Sequence, residues 1–395
     1  MIDFDELKAA NAPLNAFVDW DEGANGGEGA LAGLTIGVKA NIMVKGLLWT
    51  GGCEVFRDRM AERDAEVVAR LRAAGAAIIG SLNMEEAALG AKTHNPWFGA
   101  TQNPHRLGYT PGGSSGGSGA AVAAGLCDAA LGTDTLGSIR IPAAYCGIYG
   151  FKPAHQAVSQ DGLEMTEPSL DTIGPLARDL DVLERVSRVI SDFGKDTRDA
   201  PVASLAALGS VKCQPSVLAT YAEAKKHLGA TAEIKLPYDL TRIRFAGFIA
   251  ASRYLAGHLA DADPAKISPA LAKLLGYGLQ RSEADLAADR QVITDTRAAL
   301  EAALETHVAL LLPTAPQLAF PHSDAAPANQ ADFTCLGSVA RLPAISIPAG
   351  WSDDGLPVGL QLIGKVGNEE GLFALARKLD ADLAAYRPPA NFYQG

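Results

Sequence analysis

Residues 111–140, PGGSSGGSGAAVAAGLCDAALGTDTLGSIR, decide how the whole chain is read. The stretch opens with the serine pair Ser114–Ser115 inside a glycine loop. Ser118–Ala124 then predicts a short helix of small residues, tight enough to be packed on all sides. Cys127–Leu131 predicts a strand, and Gly132–Gly137 a turn that delivers a third serine, Ser138. Glycine is used where a backbone comes close to something or takes up positive φ. Hydroxyls held between two such turns are candidates for chemistry on a bound carbonyl or phosphate. Gly112–Gly116 matches the nucleophile-elbow pattern in letters, but that motif needs a hydrophobic strand directly before it. Here the preceding His105–Pro111 is polar and ends in proline. A phosphate-binding loop would need a lysine after the last glycine, and none follows. A flexible linker is disfavoured by the apolar flanks.

Outward from this stretch, strand and helix signals alternate. Leu34–Val38 is a short β-type run with Lys39 at its end, where a side chain can enter a site or simply face solvent. Asp64 is placed to cap a helix to Ala74, with Val67, Val68 and Leu71 on one face. Ala76–Gly80 follows as a buried strand and Asn83–Leu89 as a short helix. Ile139–Gly150 continues apolar, with Pro142 limiting any regular ladder. Asp179 starts an amphipathic helix that ends at Gly194. Residues 195–240 are less regular, and 244–306 read as helices, the last opening on a Ser282–Asp285 capping box. Strands return at 308–312, 343–348 and 356–364, and a final helix spans 369–384. The expected fold class is α/β: one large domain over residues 1–395, with a mixed, twisted sheet as core and helices on both faces.

Apolar residues make up 48% of the 395 and charged residues 20%, a profile with enough apolar material for a substantial core. A net charge of −11 argues against nucleic-acid or anionic-membrane partners, which favour basic surfaces. Five cysteines without paired spacing read as reduced, mostly buried thiols. No stretch approaches the roughly 20 apolar residues of a membrane span. With no leader-like start visible, a cytoplasmic location is expected.

A serine hydroxyl attacks only when a base takes its proton. His94, His105 and His155 lie near the motifs, but none has an evident carboxylate partner in the sequence. A lysine can act if it is neutral, and burial without an anion lowers its pKa from about 10.4 toward 7. Ala40, next to Lys39, adds no carboxylate to hold the charge.

Lys39 within GVKANI, the runs TPGGSSGGSGAAVAAG and GTDTLGSIRIPAAYCGIYGFKP, and the later GLPVGLQLIG together resemble the amidase signature family. The strong match covers residues 31–180 as a signature core, with a weaker return over the strands of 308–375. Residues 195–307 form a variable helical region without family signal. The resemblance implies a Ser-cisSer-Lys set in which Ser138 is the nucleophile, Ser114 the bridging serine after a cis Gly113–Ser114 bond, and Lys39 the base. It implies an oxyanion hole from the backbone N–H groups of Thr135, Leu136, Gly137 and Ser138. Asp134 and Arg140 would brace that turn, and Ser115 would support Lys39 by hydrogen bonding. No metal and no cofactor are expected.

The implied activity is hydrolysis of a small carboxamide to a carboxylate and ammonia or an amine through a serine acyl-enzyme. The segment from Cys146 to Asp179 is similar to compact amidases of the indoleacetamide-hydrolase type. Two alternatives are a hydrolase of urea derivatives such as allophanate or carboxybiuret, and a glutaminase A-type subunit of a tRNA-dependent amidotransferase, which would need a partner. A homodimer is the family-level expectation. Three residues depart from the family pattern: Ala40 replaces an aspartate, and Leu136 and Arg341 replace glycines. The Leu136 side chain either narrows the acyl pocket or points into the core. Arg341 reads as half of a surface ion pair, with a substrate carboxylate as the alternative.

Overall fold

The structure, a computed structural model, describes residues 2–206, 208–230, 232–390 and 392. Its strands in chain order are β1 (Phe17–Trp20), β2 (Thr35–Lys39), β3 (Ala77–Leu82), β4 (His94–Asn95), β5 (Gly99–Ala100), β6 (Ala129–Asp134), β7 (Tyr149–Lys152), β8 (Thr172–Ala177), β9 (Val202–Leu205), β10 (Ala232–Ile234), β11 (Ala309–Pro313), β12 (Ala344–Trp351) and β13 (Pro357–Gly364). The α-helices are α1 (Phe4–Asn11), α2 (Glu66–Ala73), α3 (Gly116–Ala123), α4 (Arg140–Tyr145), α5 (Leu180–Ile190), α6 (Pro215–Leu228), α7 (Leu240–His258), α8 (Pro269–Leu279), α9 (Glu283–Leu304), α10 (Cys335–Val339) and α11 (Glu369–Leu383).

Eleven strands form one mixed sheet in the order β1-β3-β2-β6-β8-β7-β12-β13-β11-β9-β10, and β4 and β5 pair separately. Alternation along the strands divides the core into two layers. Ile36 and Val38 of β2, Ile345 and Ile347 of β12, and Leu360 and Leu362 of β13 face a cluster built with α2, α5, α6 and α11. Ala344 and Ile363 face α7, α9 and α10 on the other side, where α3 also packs against β3 and β6. Each such Val, Leu or Ile, when fully buried, contributes about 1.5–3 kcal/mol. The single α/β domain expected from the sequence is the observed fold.

β2 and β6 lie side by side and parallel, Val38 opposite Leu131. Their C-terminal ends therefore reach the same edge of the sheet, bringing Lys39 beside the turn that follows Asp134. Helix α3 sits close against the backbone behind them. A Cβ at Gly117 would come within 2.3 Å of the Asn83 carbonyl, so the small-residue helix is what permits that approach.

Local boundaries differ from the sequence reading for physical reasons. Ala65, not Asp64, is the N-cap of α2; the Asp64 carboxylate instead accepts from Lys45 N at 2.8 Å and Arg72 Nε at 3.1 Å. The strand expected at Cys127–Leu131 begins two residues later, and only a 3₁₀ turn, Glu86–Ala88, forms within the helix expected at Asn83–Leu89. Pro142 lies in the first turn of α4, where no intrahelical N–H is required, so 140–145 is helix rather than a broken ladder. The irregular 195–240 holds β9, α6 and β10. Asp179 caps α5 through Val182 N at 2.7 Å, although the helix stops at Ile190 rather than running to Gly194. The Ser282–Asp285 capping box forms as expected.

Candidate active site

Lys39 closes β2 with no exposed surface, and its Nζ donates to Ser114 Oγ and to Thr133 Oγ1, both at 2.7 Å. Asn41 Nδ2 also donates to Thr133 Oγ1, at 3.2 Å. Burial lowers the Lys39 pKa to about 7 against the fields of Asp171, Asp134 and Glu85, which raise it. No ion pair holds the ammonium among the described residues, so near neutral pH the amine is well populated. Such a lysine can accept a proton at physiological pH. The Gly113–Ser114 peptide is cis.

Ser115 does not reach Lys39. Its Oγ donates to Thr133 O and accepts from Thr133 N, both at 3.2 Å, which anchors the serine loop to the end of β6. The lysine's second oxygen partner is Thr133, whose hydroxyl lies beside the amine. Ser115 therefore acts on Lys39 only through Thr133. The serine loop and the next turn are also joined through backbone, with Ser115 N donating to Ser138 O at 3.2 Å.

The turn 134–138 is clamped from beneath. Arg140 and Asp134 have no exposed surface and form a two-point ion pair, with Nε to Oδ2 and Nη2 to Oδ1 both at 3.0 Å. Burial alone would raise the Asp134 carboxyl, but Arg140 overrides it and holds it below the usual carboxylate range. The remaining guanidinium hydrogens reach Gln361 Oε1 at 2.7 Å and Ser338 Oγ at 2.9 Å. Asp134 also accepts from Ile139 N at 3.3 Å. Gly137 sits at φ 145°, and a Cβ there would lie 2.2 Å from Thr334 Oγ1, which donates to Leu136 O at 2.6 Å. Among the described residues, the N–H groups of Thr135, Leu136, Gly137 and Ser138 have no protein acceptor. Four adjacent N–H groups held in a fixed turn are the kind of donor set that stabilises an oxyanion.

Several participants lie outside the sequence-derived set. Thr133 stands in the GTDT run, and only the fold shows its hydroxyl meeting Lys39. Asp171 accepts from Thr135 Oγ1 at 2.6 Å and from the N–H groups of Thr166 and Glu167, tying the 166–171 loop to the 134–138 turn. Burial raises its pKa to about 6. A second buried lysine, Lys152, ends β7 and donates to Pro153 O at 2.8 Å and Leu342 O at 2.9 Å. Burial, reinforced by Arg140, lowers it to about 7 as well. Beside Asn41, a cavity of about 10 Å³ is lined by Gly51, Cys53, Met84, Glu164 and His258 among others. The buried Asn41 Oδ1 has no protein partner.

The departures from the family pattern now have positions. Leu136 packs with its tip toward α7, where a Cβ at Gly247 would meet its Cδ2 at 2.7 Å, and it joins the core between α7, α9 and α10. Arg341 has φ 63°, the left-handed region that favours glycine. It makes no ion pair among the described residues, and its Nε donates to Ser169 O at 3.2 Å. The surface ion pair expected for it is thus corrected: the guanidinium meets the Ser169 carbonyl instead of an acid. All five cysteines are unbridged, and burial raises their thiols. The described residues gather no group of three or more His, Cys, Asp or Glu that could hold a metal ion, and no described helix is long and apolar enough to cross a membrane.

The Amidase family model matches residues 9–242 and 249–373. The A subunit of the glutamyl-tRNA(Gln) amidotransferase of Synechococcus sp. strain RCC307 is 37% identical, covering 92% of this chain and 86% of that one. Its counterpart in Methanospirillum hungatei JF-1 is 33% identical over 92% of this chain and 96% of its own. Among solved structures, a chain from an inhibitor-bound vestigial complex bearing on the origins of an s-triazine catabolic enzyme superposes with TM-score 0.89 at 28% identity, covering 97% of this chain and 95% of that one. The Thermotoga maritima glutamyl-tRNA(Gln) amidotransferase A subunit gives 0.85 at 27% identity, over 98% and 93%. The chain belongs to the amidase family and is a hydrolase of amide C–N bonds.

Proposed function

We propose that the chain hydrolyses a small carboxamide through an acyl-enzyme on Ser138. The observation that carries this reading is the buried Lys39 amine at 2.7 Å from Ser114 Oγ, its pKa lowered by burial to about 7. Ser138 Oγ attacks the amide carbon while its proton passes through Ser114 to Lys39. The N–H groups of Thr135 to Ser138 receive the developing oxyanion. The proton returns by the same relay to the departing nitrogen, and water then attacks the acyl-enzyme. Residues 31–180 carry this chemistry, while 195–307 cover it.

The test is a panel of aliphatic, aromatic and ureido amides with the Ser138→Ala and Lys39→Ala variants. Turnover should fall by at least about 10³-fold in each, the scale on which loss of a nucleophile or base is felt. Full turnover by Ser138→Ala would remove the mechanism.

A second reading is carried by the identity to amidotransferase A subunits. In it the substrate is glutamine and the ammonia passes to a partner protein. The two readings part over assembly: the first is satisfied by one chain or a homodimer, the second requires a heteromer. Light scattering of the purified chain, together with glutaminase assays with and without candidate partner proteins, separates them.

A further inference from the structure

Two arginines without an ion pair among the described residues hold the segments that pack behind the turn carrying Ser138. Arg297, on α9, is partly buried, and its Nε and Nη2 donate to Val339 O at 3.2 and 3.0 Å. Two residues further on, Arg341 is also partly buried and spends only Nε, on Ser169 O at 3.2 Å. Among the described residues neither guanidinium forms an ion pair. Glu301, one helical turn along α9, is the acid whose field reaches Arg297, yet it stays beyond ion-pair distance. Burial and the charge of Arg341 both hold Arg297 below its usual value. The His155 ring, whose Nδ1 faces Asp171 O at 3.2 Å, is held below the usual histidine range by burial and by the charge of Arg341, with Arg297 and Lys152 adding to it. Two like charges thus sit close together, half out of water, with several N–H donors unspent. That arrangement is unfavourable by itself and favourable around an anion.

Two chains of contacts connect this pair to the candidate active site. Leu136, two residues before Ser138, packs where a Cβ at Gly247 would touch both it and Val339 Cγ1, and the Val339 carbonyl is the one that anchors Arg297. Thr135 Oγ1 binds Asp171, and the same loop supplies Ser169 O to Arg341. The arginine pair is therefore connected, through Val339 and through the 169–171 loop, to both supports of that turn. The backbone of Arg341 points the same way. A non-glycine residue at φ 63° costs backbone energy that glycine would avoid, and such positions concentrate at functional sites.

We propose that Arg297 and Arg341 form a binding site for the carboxylate of a small organic acid, gripped by the free edges of the two guanidinium groups. The acid is either the distal carboxylate of the amide substrate itself or a separate carboxylate, such as a product, acting as an effector. The first source rests on the Ser138 amidase reading; the second does not.

The experiment pairs Arg341→Gly, which suits the observed φ, with Arg297→Gln, which keeps a hydrogen-bonding head. Two probes are used: succinamate against its uncharged counterpart valeramide as substrates, and succinate as a ligand in calorimetry. The ratio of kcat/KM for succinamate over valeramide should fall about ten- to hundredfold in either variant, the worth of a charge-assisted hydrogen bond. Succinate binding should weaken by a similar factor. If succinate binding weakens and the substrate ratio holds, the site stands and its ligand is an effector. If the wild-type chain hydrolyses neither amide, calorimetry still reads the site, so failure of the amidase reading is separable from failure of this one. Succinate binding and substrate ratio both unchanged in both variants, or no succinate binding by the wild type together with no preference for succinamate, overturns the proposal.

Discussion

Arg140 and Asp134 meet fork to fork beneath the 134–138 turn, two hydrogen bonds of 3.0 Å between groups with no exposed surface. Removing one member leaves a buried charge without its partner, which costs about 3–5 kcal/mol. Arg140→Ala should lose that much stability in urea denaturation, and Asp134→Ala a comparable amount. A loss under about 1 kcal/mol in both would show that the pair braces nothing.

The Lys39 amine gives the reaction an acid limb. Below its pKa of about 7 the protonated lysine cannot accept a proton, so kcat/KM should climb tenfold per pH unit below 7 and level off above it. Lys39→Arg keeps the charge at every accessible pH and should abolish the limb along with the activity. A pH-independent profile from 5 to 8 would contradict the assignment of Lys39 as base.

The same burial has a stability signature. Lys39 and Lys152 are lowered to about 7 in the folded chain, while in the unfolded chain they stay protonated to about pH 10.4. Above pH 7 the unfolded state therefore binds more protons, and stability rises with pH. From pH 7 to 8 the two groups together should add about 2 kcal/mol. Above that window the cysteine thiols, raised by burial, act in the opposite direction. The rise should roughly halve in Lys152→Met; a flat profile in the wild type would sink the idea.

Thr133→Val tests the oxygen that sequence reasoning passed over. A hydroxyl accepting from Lys39 Nζ stabilises the ammonium more than the amine, because the charged form has the extra N–H. Its loss should shift the acid limb of kcat/KM to lower pH and, by loosening the lysine, lower kcat roughly tenfold. An unshifted limb would mean that Thr133 merely fills space.

Leu136→Gly reads the residue beside the nucleophile turn. Its side chain is partly buried and packs toward α7, so truncation should cost about 1–3 kcal/mol of stability, less than for a fully buried leucine. The preference among acyl chain lengths should stay as it is. A widened acyl range with unchanged stability would place the side chain in the pocket instead.

What the sequence made legible follows the distance between partners along the chain. Lys39 at the end of a short β run, the serine loop and the Gly132–Gly137 turn are local patterns, and the fold assembles them because β2 and β6 are parallel neighbours. Thr133, Asp171, Ser338 and Gln361 act through contacts with residues up to 221 positions away, and nothing in their own neighbourhoods announces them. Asp64 shows the opposite failure: a residue with cap chemistry at the right place is drawn off by Arg72 and Lys45. Arg341 is misread from sequence because its partner is a backbone carbonyl, that of Ser169, 172 positions away, and not an acid.

The clamp on Arg140 spans nearly the full order of synthesis. A nascent chain that has emerged to residue 330 already holds Lys39, Ser114 and Ser138, yet Ser338 and Gln361 have not been made, nor have β12 and β13, which lie between β7 and β11. Until those two strands join the middle of the sheet, Arg140 lacks the Ser338 and Gln361 part of its seat. The order in which the ribosome makes the chain thus leaves Arg140 without its full set of partners until the last sixth of the sequence has been made.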